Sequence, residues 1–181
     1  MDQAPQNFES FSAQRAKDIA LVFNEEGIDY LFIGKSGAII LGYPGTTQDA
    51  DLFLPKDRKN AERVVRALER LNFKLDEVLK TAILASKDFI QITTGPFKLD
   101  LIHAPDGIKN YSFAKARAVQ QDEFPVANLK DIIASKRASG RAKDLVDLYL
   151  LESFTTEYER AHPKPLATAV EKMRSSSAKR K

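Results

Sequence analysis

Short apolar runs that alternate with amphipathic segments, separated by glycine and proline, most restrict how this chain can fold. Runs of five or six residues rich in aromatic and β-branched side chains are typical of strands. Apolar residues that recur at three- and four-residue spacing are typical of helices with one buried face. The pattern predicts strands at 29–33, 50–54, 89–93 and 97–102, and helices at 12–26, 36–41, 58–71, 128–139 and 142–152. This order predicts one α+β domain, a small mixed β-sheet flanked by helices, with further helices at the C-terminal end.

The two last predicted helices have clear local signals. Asn128 is a good N-cap, Asp131 suits the positive end of the first helix, and Gly140 is expected to end it. The turn at 94–96 predicts that the strands on either side of it form a hairpin. In the final helix we expect three residues to point inward: Leu145, Leu148 and Tyr149.

Composition excludes several classes of site. The 181 residues contain no cysteine and two histidines, which excludes disulfide scaffolds, cysteine nucleophiles and thiolate zinc sites. No apolar run approaches the roughly 20 residues of a membrane span, and the first residues do not resemble a signal peptide. We therefore expect a cytoplasmic protein with no membrane partner.

Positive charge is concentrated at the C-terminal end. Residues 171–181 hold five basic side chains and one acidic one, a net charge of +4, whereas the whole chain has +3 and the rest therefore −1. We expect 163–181 to form a flexible basic tail. Contact of this tail with nucleic acid is the alternative to a solvated end.

Asp49 and Asp51 are the first candidates for a functional site. On a strand, residues two apart point to the same face, so the two carboxylates are expected side by side. Such a pair repels and is costly to bury without a cation, and oxygen ligands favour Mg²⁺ or Mn²⁺. The alternative is a solvated strand start, with Asp49 capping the preceding turn.

Asp100 strengthens the prediction of a metal site. It lies in a strand whose other central residues are mainly apolar, where aspartate is disfavoured. If this strand lies beside 50–54, three carboxylates come together, and such a set can hold two divalent ions for phosphoryl transfer. The alternative is a solvent-facing residue paired with Lys98 or with a neighbouring strand.

The segment Gly34–Gly37 is a candidate phosphate contact. It follows a predicted strand and opens a predicted helix, where glycines allow close approach and backbone N–H groups favour anions. Lys35 and Ser36 offer further donors. A Walker A loop is excluded, because that motif needs glycine where the chain has Asp29. The alternative is a plain turn with an exposed lysine.

Several segments in order resemble one known family. Residues 30–34, 38–44 and 47–52 resemble the nucleotidyltransferase superfamily of the DNA polymerase β type, with its glycine turn, short helix and Asp-hydrophobic-Asp strand. Residues 129–138 and 140–148 resemble the helical motifs of small bacterial nucleotidyltransferase-like proteins, which include abortive-infection toxins of toxin–antitoxin systems. The resemblance covers about residues 30–148. It implies a nucleotidyltransferase fold with a core in 1–125 and a helical part in 126–162.

The resemblance also implies roles for individual residues. Asp49, Asp51 and Asp100 would bind the metal ions, and Asp100 would also help to activate the acceptor hydroxyl. The residues implied in nucleotide binding are Gly34, Lys35, Ser36, Lys136, Arg141, Lys143 and Asp144. For Lys136, Arg141 and Lys143, the alternative is a solvated helix face with salt bridges to Asp144 and Asp147.

The expected activity is Mg²⁺- or Mn²⁺-dependent transfer of a nucleoside monophosphate from a nucleoside triphosphate to an acceptor hydroxyl. The resemblance leaves the acceptor open, with tRNA among the candidates, and implies an antitoxin protein as a candidate partner. A nucleotidyltransferase fold that binds without turnover is the alternative. It is supported by Lys35, where the family commonly has a small residue, and Gly45, where many members have arginine.

Overall fold

A computed structural model describes residues 10–163, apart from the side chain of Lys143. Its strands are β1 (Leu31–Phe32), β2 (Asp49–Phe53), β3 (Phe89–Ile92), β4 (Lys98–Ile102), β5 (Val119–Gln121) and β6 (Phe124–Val126). Its helices are α1 (Ala13–Glu25), α2 (Gly34–Ile40), α3 (Arg58–Arg70), α4 (Glu77–Leu84), α5 (Tyr111–Lys115), α6 (Leu129–Ser139) and α7 (Ala142–Ala161). The predicted basic tail lies outside the described residues except for Pro163.

The strands form one mixed sheet in the order β3-β4-β2-β1-β6-β5. The central pairs are β2–β4 and β1–β6, both parallel, joined by the antiparallel pair β1–β2. The outer hairpins β3–β4 and β5–β6 are antiparallel. The predicted α+β class with a mixed sheet and the hairpin across 94–96 are therefore confirmed, while assignment to a particular fold family stays a prediction.

Aromatic packing fixes β1 in the centre of the sheet. The rings of Phe23, Tyr30, Phe32 and Phe124 meet edge to face in succession, with centroids 5.1, 5.7 and 6.0 Å apart. Such ring pairs each contribute about 0.5–1.5 kcal/mol beyond the area they bury. Because β1 has only two residues, this packing rather than a long hydrogen-bonded ladder holds its position.

The predicted ends of α6 are confirmed. The Asn128 side chain accepts a hydrogen bond from the backbone N–H of Lys130, and Gly140 closes the helix in a left-handed conformation with φ of 61°. Asp131 lies in the first turn, is almost fully buried, and forms an ion pair with Arg117. Defined ends at both sides fix where Lys136, in the last turn, projects.

Helix α7 corrects the prediction for its length and its inward face. It runs to Ala161 instead of residue 152, and two of the residues expected inside, Leu145 and Tyr149, are 57% and 73% exposed. Leu148 is half-buried against the core as predicted. The physical reason is that ion pairs of Asp144 and Asp147 with α2 and α6 set the rotation of the helix, which the apolar spacing alone does not show.

Strands β5 and β6 and helices α4 and α5 were not part of the predicted set. Strand β6 and helix α4 are short, and helix α5 and the start of β5 lie within residues 110–120, where the sequence has no clear periodicity. None of the helices in residues 10–163 has the length and apolarity needed to cross a membrane.

Candidate functional site

The three predicted carboxylates lie on two neighbouring strands. Asp49 and Asp51 share one face of β2, whereas Ala50 and Leu52, which alternate with them, are fully buried on the opposite face. Strand β4 runs parallel beside β2, and the register places Asp51 directly opposite Asp100. Residues directly opposite each other on adjacent strands point to the same side of a sheet. We call these three residues the carboxylate face.

The electrostatics of the carboxylate face are unfavourable for ionisation. Burial, followed by the charges of Asp100 and Asp49, raises the pKa of Asp51 to about 7, although Lys136 and Arg141 act in the opposite direction. Oδ1 of Asp49 is buried and has no hydrogen-bond partner within the described residues. Oδ1 of Asp100 accepts a hydrogen bond of 3.2 Å from Gln91 Nε2. Excess negative charge in a poorly solvated place favours a cation.

The carboxylate face offers ligand atoms that suit a divalent cation, but its side chains are not all placed to hold one ion. Carboxylate oxygens are suitable ligands for Mg²⁺ or Mn²⁺, and Asp49 and Asp51 supply an unpartnered oxygen and a destabilised charge. Across residues 10–163, however, no three His, Cys, Asp or Glu side chains are placed so that they could hold one metal ion together. Asp49, Asp51 and Asp100 therefore stay the predicted ligands, and Asp51, next to both of the others, has the least favourable charge.

The turn between β1 and α2 packs directly on Asp51. Gly34 has φ of 62°, and a Cβ at this position would lie 2.5 Å from Oδ2 of Asp51. The buried Ser36 hydroxyl donates to the carbonyl of Ile33 at 3.1 Å and accepts from the backbone N–H of Asp51 at 3.0 Å. Gly34 and Ser36 thus bring the start of α2 against the carboxylate face, while their contact with phosphate stays a prediction.

A second cluster of charges lies beside the carboxylate face, where α2, α6 and α7 meet. It consists of Lys35, Lys136, Arg141, Asp144 and Asp147, and we call it the junction network. Lys136 Nζ lies 3.2 Å from Oδ1 of Asp144, and Arg141 Nε lies 2.6 Å from Oδ2 of the same residue. Lys35 Nζ lies 3.3 Å from Oδ1 of Asp147. Of the residues predicted for nucleotide binding, four therefore form ion pairs within this network.

Asp144 is the best-satisfied charge of the junction network. Its side chain is 3% exposed and also accepts a hydrogen bond of 2.8 Å from the Ser139 hydroxyl. Although burial acts to raise its pKa, the hydrogen bonds from Ser139, Arg141 and Lys136 together hold the pKa of Asp144 below its usual value. Asp144 therefore stabilises the corner between α6 and α7 as an ionised group.

The sequence prediction missed one residue of the site and anticipated another only as an alternative. Asp147 was expected as a salt-bridge partner, and it does pair with Lys136, because its position three residues after Asp144 places both on one face of α7. Gln91 contacts Asp100 from the neighbouring strand, and the predicted hairpin was the available signal for that contact.

The arrangement joins a carboxylate face that attracts cations to lysine and arginine side chains that can bind anions. A phosphate ester bound together with a divalent ion satisfies both requirements. In comparisons with known proteins, the sequence matches no family model and has no significant match among curated proteins.

Proposed function

We propose that the protein is a nucleotidyltransferase that uses Mg²⁺ or Mn²⁺ and a nucleoside triphosphate. The observation that carries this proposal is the placement of Asp51 opposite Asp100, with a pKa raised to about 7, against the glycine turn at Gly34. Destabilised carboxylates beside a turn that allows close backbone approach are suited to a metal-bound phosphate. The sequence resemblance supports the same reaction.

In the proposed reaction, the oxygen of an acceptor hydroxyl forms a bond to the α-phosphorus, and the bond from that phosphorus to the bridging oxygen breaks. Pyrophosphate leaves, and Asp100 accepts the hydroxyl proton. When bound by Asp49 and Asp51, the divalent ion supplies positive charge for the phosphate oxygens. Lys136 and Arg141 lie close enough to Asp51 to affect its ionisation, so they are placed to bind the outer phosphates.

Thermal denaturation with each of the four nucleoside triphosphates, with and without Mg²⁺, tests this proposal. A ligand that binds only the folded state raises the midpoint of unfolding. We expect a rise that needs the metal in the wild type and is absent in Asp51→Asn. Asp18→Asn, which removes a carboxylate on α1, is the matched control and should respond like the wild type.

Release of pyrophosphate then distinguishes turnover from binding. A metal-dependent rise in midpoint with no pyrophosphate released for any offered hydroxyl acceptor favours the second candidate, a nucleotide-binding protein without transfer. That candidate is supported by Lys35, whose side chain occupies the region beside the glycine turn and is bound to Asp147. An equal rise in wild type and Asp51→Asn would contradict the proposed site.

A further inference from the structure

Asp147 joins two lysines that come from different elements. Its Oδ1 lies 3.3 Å from Lys35 Nζ, in the first turn of α2, and its Oδ2 lies 3.9 Å from Lys136 Nζ, in the last turn of α6. A carboxylate and a phosphate group both present oxygens to cationic donors in this way. The Asp147 carboxylate therefore stands where an external oxyanion would meet both lysines.

The space around this carboxylate is already filled. The narrow gap on its inner side is lined by Lys35, Ala38, Tyr43, Lys136, Asp147 and Leu151, and these side chains leave no room there for a further group. An anion cannot contact both lysines while Asp147 keeps its position. Binding at this place requires the Asp147 side chain to leave.

Asp147 is easier to release than its neighbour Asp144. The Asp147 side chain is 27% exposed and contacts two lysines, whereas Asp144 is almost fully buried and has three donors. Separation of a partly exposed ion pair costs little, because water replaces the lost interaction, but separation of a buried one is expensive. The network thus contains one fixed carboxylate and one exchangeable carboxylate.

The exchangeable position adjoins the carboxylate face. Lys136 is near enough to Asp51 to oppose the rise of its pKa, and Lys35 follows Gly34, which packs on the Asp51 side chain. A phosphate held by Lys35 and Lys136 would belong to a chain whose next phosphate can approach a metal at Asp49 and Asp51.

We propose that an oxyanion of a polyphosphate chain binds between Lys35 and Lys136 by displacing the Asp147 carboxylate, so that Asp147 sets the affinity of this site. The proposal rests on the proposed function in taking the polyphosphate to be that of a nucleoside triphosphate. Asp147 acts as a competitor built into α7, and it keeps both lysines in place when no ligand is bound. Its removal should free Lys35 and remove one of the two negative charges at Lys136, which Asp144 still holds, and so tighten binding.

Calorimetric binding of inorganic tripolyphosphate, without metal, to the full chain tests this inference. We expect Asp147→Asn to bind about three- to tenfold more tightly than the wild type, because a neutral side chain competes weakly for the lysines. Glu152→Gln is the matched control, since it removes the same charge from the same helix, where Glu152 pairs with Arg137. It should change the affinity less than about twofold.

Three outcomes would overturn the inference. The first is an equal gain in both variants, which would indicate a general effect of net charge. The second is a gain that persists in Lys35→Met/Asp147→Asn, which would place the anion elsewhere. The third is undetectable binding in wild type and Asp147→Asn, shown by thermal denaturation to be folded. Asp147→Ser is the second variant if the asparagine form does not fold.

The same experiment separates this inference from the proposed function. Because tripolyphosphate carries no nucleoside and the titration contains no metal, its result does not depend on nucleotidyl transfer. If Asp147→Asn binds tripolyphosphate more tightly but no nucleotidyl transfer is found, the anion site is supported and the proposed reaction is contradicted. If nucleotidyl transfer needs Asp51 but Asp147→Asn binds tripolyphosphate no more tightly than the wild type, the reaction is supported and the proposed role of Asp147 is contradicted.

Discussion

The carboxylate face and the junction network adjoin each other but differ in how their negative charges are stabilised. On the carboxylate face, like charges lie together, Oδ1 of Asp49 has no partner within the described residues, and the pKa of Asp51 is raised. In the junction network, Asp144 and Asp147 are bound by basic side chains, and the pKa of Asp144 is lowered. The first arrangement favours a bound cation, while the second is stable by itself. The two groups of aspartates therefore have different energetic roles.

Loss of the buried charge in the junction network should have the largest effect on stability. We expect Asp144→Asn to lower the free energy of unfolding by about 3 kcal/mol, because Lys136 is left buried without its closest counter-ion. Denaturation by urea measures the change. The control Asp18→Asn, which removes a surface ion pair, should cost less than about 1 kcal/mol. Similar losses in the two variants would mean that the network is no more than a surface feature.

Removal of a negative charge from the carboxylate face should instead raise the free energy of unfolding. Asp51 has a higher pKa in the folded protein than the ordinary value of 3.8 for an aspartate, so its contribution to stability falls as pH rises from about 4 to about 7. We expect Asp51→Asn to raise the free energy of unfolding by about 2 kcal/mol at pH 8, a value reduced for the partial exposure of Asp51.

Urea denaturation of wild type and Asp51→Asn from pH 4 to pH 8, without divalent ions, measures this difference. The gain should be small near pH 4, increase up to about pH 7 and then remain constant. A gain that does not vary with pH, or a loss of stability at pH 8, would contradict unfavourable ionisation of Asp51.

The close contact between Gly34 and Asp51 should make a smaller difference to the free energy of unfolding. Substitution of a second glycine separates this contact from backbone strain. Gly34 and Gly140 both have positive φ, at 62° and 61°, but an added Cβ meets Asp51 Oδ2 at 2.5 Å in the first case and nothing within 4 Å in the second. Both alanine variants should lose about 1 kcal/mol to backbone strain. We expect Gly34→Ala to lose about 1.5 kcal/mol more, in the range seen for overpacking.

A double-mutant cycle with Asp51→Ala tests the origin of that excess. The additional loss in Gly34→Ala should disappear when the Asp51 side chain is absent, since the Cβ then has room. Persistence of the excess in the double variant would show that the turn, not the contact with the carboxylate face, is responsible.

Removal of the Ser36 hydroxyl should have the smallest effect of this series. Ser36→Ala leaves the backbone N–H of Asp51 without its 3.0 Å partner, and we expect a loss of about 1 kcal/mol. Ser153→Ala, at an exposed position in α7, is the control and should change the stability by less than about 0.5 kcal/mol. Equal values would indicate that water replaces the lost hydrogen bond.

Local signals in the sequence predicted much of the fold. Strand β4 and helices α1, α3 and α6 lie within one or two residues of the predicted bounds, because their spacing, caps and terminal glycines act within a few residues. The exposed side of α7 was predicted incorrectly, since its buried side depends on contacts with other elements, among them the pairing of Asp147 with the distant Lys35. Strand β6 was missed for a related reason: its three residues show no alternation, and they form a strand by pairing with β5 on one side and β1 on the other.

For the candidate site, the sequence predicted which residues carry the charged groups better than it predicted which residues contact one another. The spacing of Asp49 and Asp51 was sufficient to place them on one face, and the unusual position of Asp100 in an apolar strand indicated the same face. The pairing of Lys35 with Asp147 joins residues 112 positions apart, and no local pattern shows it. The pairing of Lys136 and Arg141 with Asp144 was anticipated as an alternative to nucleotide binding, but the partner of Lys35 was not.

The position of β1 has a consequence for the synthesis of the chain. Its neighbours in the sheet are β2, which follows within about twenty residues, and β6, which is translated some ninety residues after β1. Until β6 leaves the ribosome, β1 has one edge with unpaired N–H and C=O groups and exposes apolar side chains, the condition under which strands join other chains. A ribosome that pauses between β2 and β6 would thus hold a nascent chain able to aggregate through one of its two central strands.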